Sequence, residues 1–227
     1  MRKMRLQHIL LGIIALIAIA GLIYISFGHV AVYLFARANN LDISYASLAR
    51  PGANFAFKDF RVVNKASGLG ISAQAAAIRP KLKGYEFNFT DVRFLQKHGD
   101  ELSSYENLAG LVAVPFKGSW VYKEIAGEAA PSRDTLEVKK LDAVSDEIKL
   151  HITGKFNADN TVDTDIKIYF GPGITKKIPE ELSKVILTDE EGRWKSLAVH
   201  LSGNYAAPSI QVSGKLFRLN IKSISEK

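Results

Sequence analysis

A mainly β domain carried behind an N-terminal transmembrane helix is the fold class that this sequence predicts. Three features predict it: one long uncharged apolar run, a repeated Phe-rich strand pattern, and a second repeat that opens hairpins. The domain is expected as a curved antiparallel sheet or β-groove with one or two short helices.

The apolar run, ILLGIIALIAIAGLIYI from Ile9 to Ile25, holds no charge. At ~1.5 Å per residue, about 20 residues cross the hydrocarbon core of a bilayer. Arg2, Lys3 and Arg5 flank its N-terminal end, whereas the other flank offers only Arg37 before Asp42. The positive-inside bias then puts the N-terminus in the cytoplasm. The expected organisation is a tail over residues 1–8, a membrane anchor over 9–36 and an exported domain over 37–227. Val30 to Ala36 extend the helix above the bilayer as an amphipathic segment ending near Asn39-Asn40. A competing reading is a cleaved signal peptide, because Ala18-Ile19-Ala20 resembles a cleavage site. Leu22, Ile23, Tyr24, Ile25 and Phe27 prolong the apolar run past that site and favour an uncleaved anchor.

The first repeat is FAFKDFRV, Phe55 to Val62, which returns as FNFTDVRF, Phe87 to Phe94. Apolar residues stand at its first, third, sixth and eighth positions. Strict strand alternation would place them at odd positions only, so each copy carries one inserted residue near Lys58-Asp59 or Thr90-Asp91, as in a β-bulge. Between the copies, Gly68 and Gly70 mark a turn, and alternation from Ile71 towards Pro80 completes a hairpin. The second repeat is IKLHITGKF, Ile148 to Phe156, which returns as LAVHLSGNY, Leu197 to Tyr205. Each copy opens an antiparallel hairpin, with return strands through Ile166, Ile168 and Phe170 and through Ile210, Val212 and Leu216. One later helix is expected from Pro179 in IPEELSKVIL, with Glu180 and Glu181 at its positive end and Leu182, Val185 and Ile186 facing the sheet. A short helix over Ser103 to Leu108 is an alternative within Leu102 to Leu111. Val112, Val114 and Phe116 then alternate as a strand would.

Composition bounds the chemistry. With no cysteine, the chain has no disulfide, thiolate metal site or cysteine nucleophile. A formal charge of +7 suits either nucleic acid or an anionic membrane surface. Three of the cations belong to the N-terminal tail and most others stand singly between apolar residues, which argues against a nucleic-acid partner. No compact basic patch is visible in the sequence. His8, His29, His98, His151 and His200 lack metal-ligand spacing, and no cofactor motif is present. Gly171-Pro172-Gly173 reads as a turn. Asp59-x-Arg61 and Asp91-x-Arg93 read as surface ion pairs or turn contacts, worth at most ~1 kcal/mol. The acidic Asp189, Glu190 and Glu191 read as a solvated loop. No nucleophile and base stand in an arrangement that suggests an enzyme.

A face carrying Phe55, Phe57, Phe60, Val62, Phe87, Phe89, Val92 and Phe94 needs an apolar cover, because large exposed apolar patches are rare. Three covers fit: another sheet, the helix at Pro179, or lipid. The first two make an ordinary core, and the third makes a groove in which these eight residues touch acyl chains.

An N-in anchor followed by the FxFxDxRx repeat, IKLHITGKF and LAVHLSGNYAAPSIQVSG resembles the AsmA-like family of Gram-negative envelope proteins. The resemblance implies a curved open sheet with an apolar concave side, held at the inner membrane, with the domain in the periplasm. It also implies work in phospholipid traffic or outer-membrane biogenesis, with phospholipid and other envelope proteins as partners. About ten strands at ~4.8 Å spacing extend only about 50 Å, too short to bridge an envelope alone. A similar terminal pattern occurs in the type II secretion N protein, which implies the alternative of a secretion or assembly component that binds proteins.

Overall fold

The computed structural model describes residues 28–38, 40–65, 68, 70–95, 104–159, 161–204 and 209–222. The expected anchor lies outside the described residues except for 28–36, and among the described residues no helix is long and apolar enough to cross a membrane.

The described residues open with helix α1 (residues 28–38) and then enter one antiparallel sheet. Its strands are β1 (Leu41–Ser44), β2 (Ser47–Ala49), β3 (Phe55–Asn64), β4 (Gly70–Lys81), β5 (Gly84–Leu95), β6 (Tyr122–Pro131) and β7 (Thr135–Val144). They continue with β8 (Ile148–Asn157), β9 (Thr161–Phe170), β10 (Thr188–Asp189), β11 (Lys195–Asn204), β12 (Ser209–Ser213) and β13 (Arg218–Lys222). The order β1-β3-β4-β5-β6-β7-β8-β9-β11-β12-β13 places sequence neighbours side by side, while β2 pairs β3 and β10 pairs β11. The two ends of this order do not pair, so the sheet is open.

Alternation puts one apolar row straight across the sheet. Phe57, Ala76, Phe89, Ile125, Ala143, Leu150, Ile168 and Leu197 are successive cross-strand partners from β3 to β11. Two residues further along each strand runs a second row: Phe55, Ile78, Phe87, Gly127, Leu141, Ile152, Ile166, Val199 and Val212.

The inserted residue of the Phe-rich repeat is present and spreads further than its two copies. Asp59 and Asp91 take positive φ of 50° and 51°. Such angles cost most L-residues but suit Asp, whose short side chain tolerates the left-handed region. Lys58-Asp59, Gln74-Ala75, Asp91 with Thr90, and Lys123-Glu124 interrupt the alternation of β3 to β6 at the same level. Because all four strands carry the extra residue, pairing continues without slip. A further bulge at Lys139-Lys140 belongs to β7 alone and shifts its register against both neighbours. Asp59 and Arg61 make no pair with each other; Arg61 instead lies 3.8 Å from Asp42 on β1.

Helices cover the face at the end where β4 begins and β5 ends. Helix α2 (Leu108–Ala113) runs into a 3₁₀ turn (Val114–Phe116), so Val112, Val114 and Phe116 do not form the expected strand. Asn107 starts this helix by accepting a hydrogen bond from the Gly110 amide at 2.7 Å, and Pro115 suits the first turn of the 3₁₀ segment. The Tyr122 hydroxyl, fully buried, donates to the Pro115 carbonyl at 2.7 Å and ties the turn to β6. Burial pushes that hydroxyl's pKa far above its ordinary value.

Helices α3 (Pro172–Thr175) and α4 (Glu180–Ile186) cover β8 to β12 with Ile174, Ile178, Ile186 and Leu187. The Glu147 carboxylate accepts from the Gly173 and Ile174 amides at 2.8 and 3.3 Å. A Cβ at Gly171 or Gly173 would stand 2.6 Å from that carboxylate, which accounts for both glycines of the Gly-Pro-Gly turn. On α4 the inward arc is Leu182, Ser183 and Ile186, whereas Val185 is 45% exposed and does not face the sheet as expected. Ser183 and Ile186 flank the arc's centre, and Val185 lies about 100° from it at 3.6 residues per turn. Leu216, expected on a return strand, sits exposed in the turn between β12 and β13.

Candidate functional site

Helix α1 closes the opposite flank of the same face. It lays Val32 towards Phe57 and Phe60, which are 5% and 7% exposed beneath Ile43, Tyr45 and Leu48. Tyr45 meets Phe57 edge-on at 5.3 Å and its hydroxyl lies 2.6 Å from His29 Nδ1. The covers therefore come from α1 on one side and from α2, α3 and α4 on the other.

Between them β5 stays partly uncovered in two stretches, Tyr85 to Phe89 and at Phe94, with the buried Val92 separating them. Tyr85 is exposed, and Phe87, Phe89 and Phe94 are half-buried. Phe87 and Phe89 stack at 5.5 Å, Phe89 stacks on Phe60 at 6.1 Å, and Phe94 meets Phe116 edge-on at 5.4 Å. From Tyr85 to Phe89 the first stretch runs roughly 13 Å at ~3.3 Å per residue. Beyond Val92, Phe94 borders an apolar cleft of about 390 Å³ lined also by Leu41, Val62, Ile71, Leu95 and Phe116. At the Tyr85 end, Leu136 and Phe156 are exposed on β7 and β8, with Leu141 and Ile152 half-buried behind them.

Of the eight residues expected to touch lipid, all stand on this one face. Phe57, Phe60 and Val92 are buried, Val92 with no exposure at all beside Leu111 and Tyr122. Phe55, Val62, Phe87, Phe89 and Phe94 border the uncovered stretches. Tyr85, Ile71, Ile78 and Phe116 were not among the expected residues. Tyr85 extends the alternation of Phe87 and Phe89 by one step, a signal present in the sequence. Phe116 joins the cleft only because the chain around it turns into a 3₁₀ segment.

The opposite face is polar. His151 Nδ1 lies 2.7 Å from Asp142 Oδ1, and Lys140 lies 2.8 Å from the other Asp142 oxygen. His200 Nδ1 lies 2.9 Å from Asp165, with Nε2 3.7 Å from Asp163. Burial works against the Asp142 carboxylate, but the hydrogen bonds from His151 and Lys140 outweigh it and hold its pKa below the ordinary value. Asp189 pairs with Lys195 and Lys215 at 3.1 and 3.2 Å, and Glu190 with Lys167 at 2.8 Å, so two members of the acidic cluster anchor ion pairs between elements. Among the described residues, no three His, Asp or Glu side chains gather as metal ligands would.

Neither a protein-family model, nor a curated protein, nor a solved structure matches this chain.

Proposed function

We propose that this chain is a non-enzymatic envelope protein, anchored in the inner membrane by its N-terminal apolar run, whose apolar β-groove binds acyl chains. In this reading the N-terminus is cytoplasmic, the domain periplasmic, and the groove serves lipid transfer or outer-membrane biogenesis. One observation carries it: half-exposed aromatic residues that helices flank line one face of β5 in two stretches, Tyr85 to Phe89 and the cleft at Phe94. Half-buried aromatics in a cleft of several hundred Å³ suit an apolar ligand without polar recognition. The resemblance to AsmA-like proteins supports the same reading, as does the open sheet.

The eight residues divide accordingly. Phe87, Phe89, Phe94, Phe55 and Val62 contact the chains, while Phe57, Phe60 and Val92 support the wall from within. Site-specific photocrosslinking in the full chain tests this, with benzoylphenylalanine in place of Phe87 or of Thr153 on the opposite face. Irradiation in a Gram-negative host should give a phospholipid adduct at position 87 and none at 153. Equal lipid adducts at both positions, or none at 87, would sink the reading.

A second reading, a secretion or assembly component, draws on the unpaired outer edge of β13 among the described residues. Strand edges invite pairing with another chain. Protein adducts from benzoylphenylalanine at position 219 on β13, with no lipid adduct at 87, would favour it.

A further inference from the structure

Helix α1 runs antiparallel to β1 and β2. At its start, a Cβ on Gly28 would meet Arg50 at 3.0 Å and Leu48 at 3.4 Å, and His29 bonds Tyr45. At its end, Ala36 and Arg37 border Leu41 and Lys65. Arg50 precedes the turn into β3, on the side where the β4–β5, β6–β7 and β8–β9 hairpins also turn. The chain therefore enters the described fold at the hairpin-tip end, and only Ser26 and Phe27 separate Gly28 from the uncharged run ending at Ile25.

That end carries apolar and cationic residues together. The β4–β5 turn consists of Leu82 and Lys83 between the paired Lys81 and Gly84, and Leu82 is 107% exposed. Arg79, Lys81 and Lys83 stand near Glu86, which pairs with Lys81 at 2.9 Å, while the hairpin's other carboxylate, Asp91, lies towards its far end. Tyr85, Leu136 and Phe156 are exposed on the same side, where Arg133 and Lys155 are balanced by Asp134, Asp159 and the cross-strand partners of Lys155, Glu137 and Asp163. Arg79, Lys81 and Lys83, three cations within five residues, make this a compact basic group that the sequence itself carries, contrary to the expectation of none. At the opposite end Val144, Val185, Leu216 and Leu219 are exposed on β7, α4 and the β12–β13 segment, and the lysines beside Val185 and Leu216, Lys184 and Lys215, are engaged in ion pairs.

We propose that the hairpin-tip end rests on the bilayer surface and that the β4–β5 turn inserts Leu82 among anionic headgroups, with Lys83 beside it holding a phosphate. The inference rests on the anchored reading above. It fixes the orientation of the domain: strands point at the membrane and the stretch from Tyr85 to Phe89 opens onto it. Apolar contact and surface charge add in such docking, at ~1 kcal/mol per Lys or Arg near an anionic surface.

The cysteine-free chain allows single labelling. Full-length L82C and, at the far end, S119C are each labelled with a fluorophore and reconstituted in vesicles of phosphatidylethanolamine and phosphatidylglycerol. Headgroup-level nitroxide lipids should quench the label at 82 several-fold more than the label at 119. Replacing Lys83 by Gln should lower the docked-to-undocked ratio by roughly fivefold. Equal quenching at 82 and 119 in chains that resist carbonate extraction overturns the docking and leaves the anchor intact. A chain that carbonate strips from the vesicles overturns both.

Discussion

At Gly127 the second apolar row has no side chain, and Phe87 from the neighbouring strand lies over the gap. A Cβ there would stand 2.7 Å from the Phe87 ring and 2.4 Å from the Lys140 carbonyl. Gly127→Ala should therefore destabilise the domain by about 1–3 kcal/mol through forced displacement of strand or ring. The shift in urea midpoint measures it, and an unchanged midpoint would mean the ring moves freely. The same position shows what single residues disclose in a sequence. Phenylalanines spaced at first, third, sixth and eighth positions made the inserted residue of β3 and β5 legible. In β4 the same insertion separates Ala73 from Ala76, and in β6 it separates Tyr122 from Ile125, where too few apolar residues remain to mark a period. The positive φ of Asp59 and Asp91 was hidden because Asp serves ion pairs as readily as left-handed turns.

Elements were legible where turn chemistry and periodicity agreed. The hairpins of β3 with β4, β8 with β9 and β11 with β12 follow from alternation interrupted by Gly, Asn or Pro. Strands β6 and β7 were not singled out, since small residues and two-residue charged interruptions break their alternation. The α2 segment was misread because Val112, Val114 and Phe116 satisfy period two, while the Asn107 cap and Pro115 favour helical turns. Cap and packing prevailed: Leu111 and Val114 are both fully buried against the sheet. Asn107→Ala should then cost about 1 kcal/mol of stability. Because α2 and its 3₁₀ turn form one wall of the cleft, hydrogen exchange at Gly110 should speed up with that loss. Unchanged exchange there would show that tertiary packing alone holds the helix.

Across the whole molecule, neighbouring strands in sequence are neighbours in the sheet, so the charged groups of the outer face and of the turns join elements close along the chain. Asp189 is held below the ordinary carboxylate pKa by hydrogen bonds from Lys195 and Lys215, and Glu190 by Lys167 and Ser196. Asp142 is held below it too, since the bonds from His151 and Lys140 outweigh its burial. In each case the folded state favours the ionised form, so the unfolded chain binds more protons as the solution is acidified. The stability from these pairs is fully present above the unfolded carboxylate values of about 4 and is lost as the pH falls through the lower folded values. The urea midpoint should therefore fall as the pH drops below about 4, and Asp189→Asn should make that fall shallower. Because Asp189 and Lys215 are mostly exposed, raising the salt to about 1 M, where the screening length is ~3 Å, should also flatten it. A midpoint that Asp189→Asn lowers equally at every pH would show that the side chain acts through packing or neutral hydrogen bonds, and that the lysines of β11 and the β12–β13 turn do not depend on its charge.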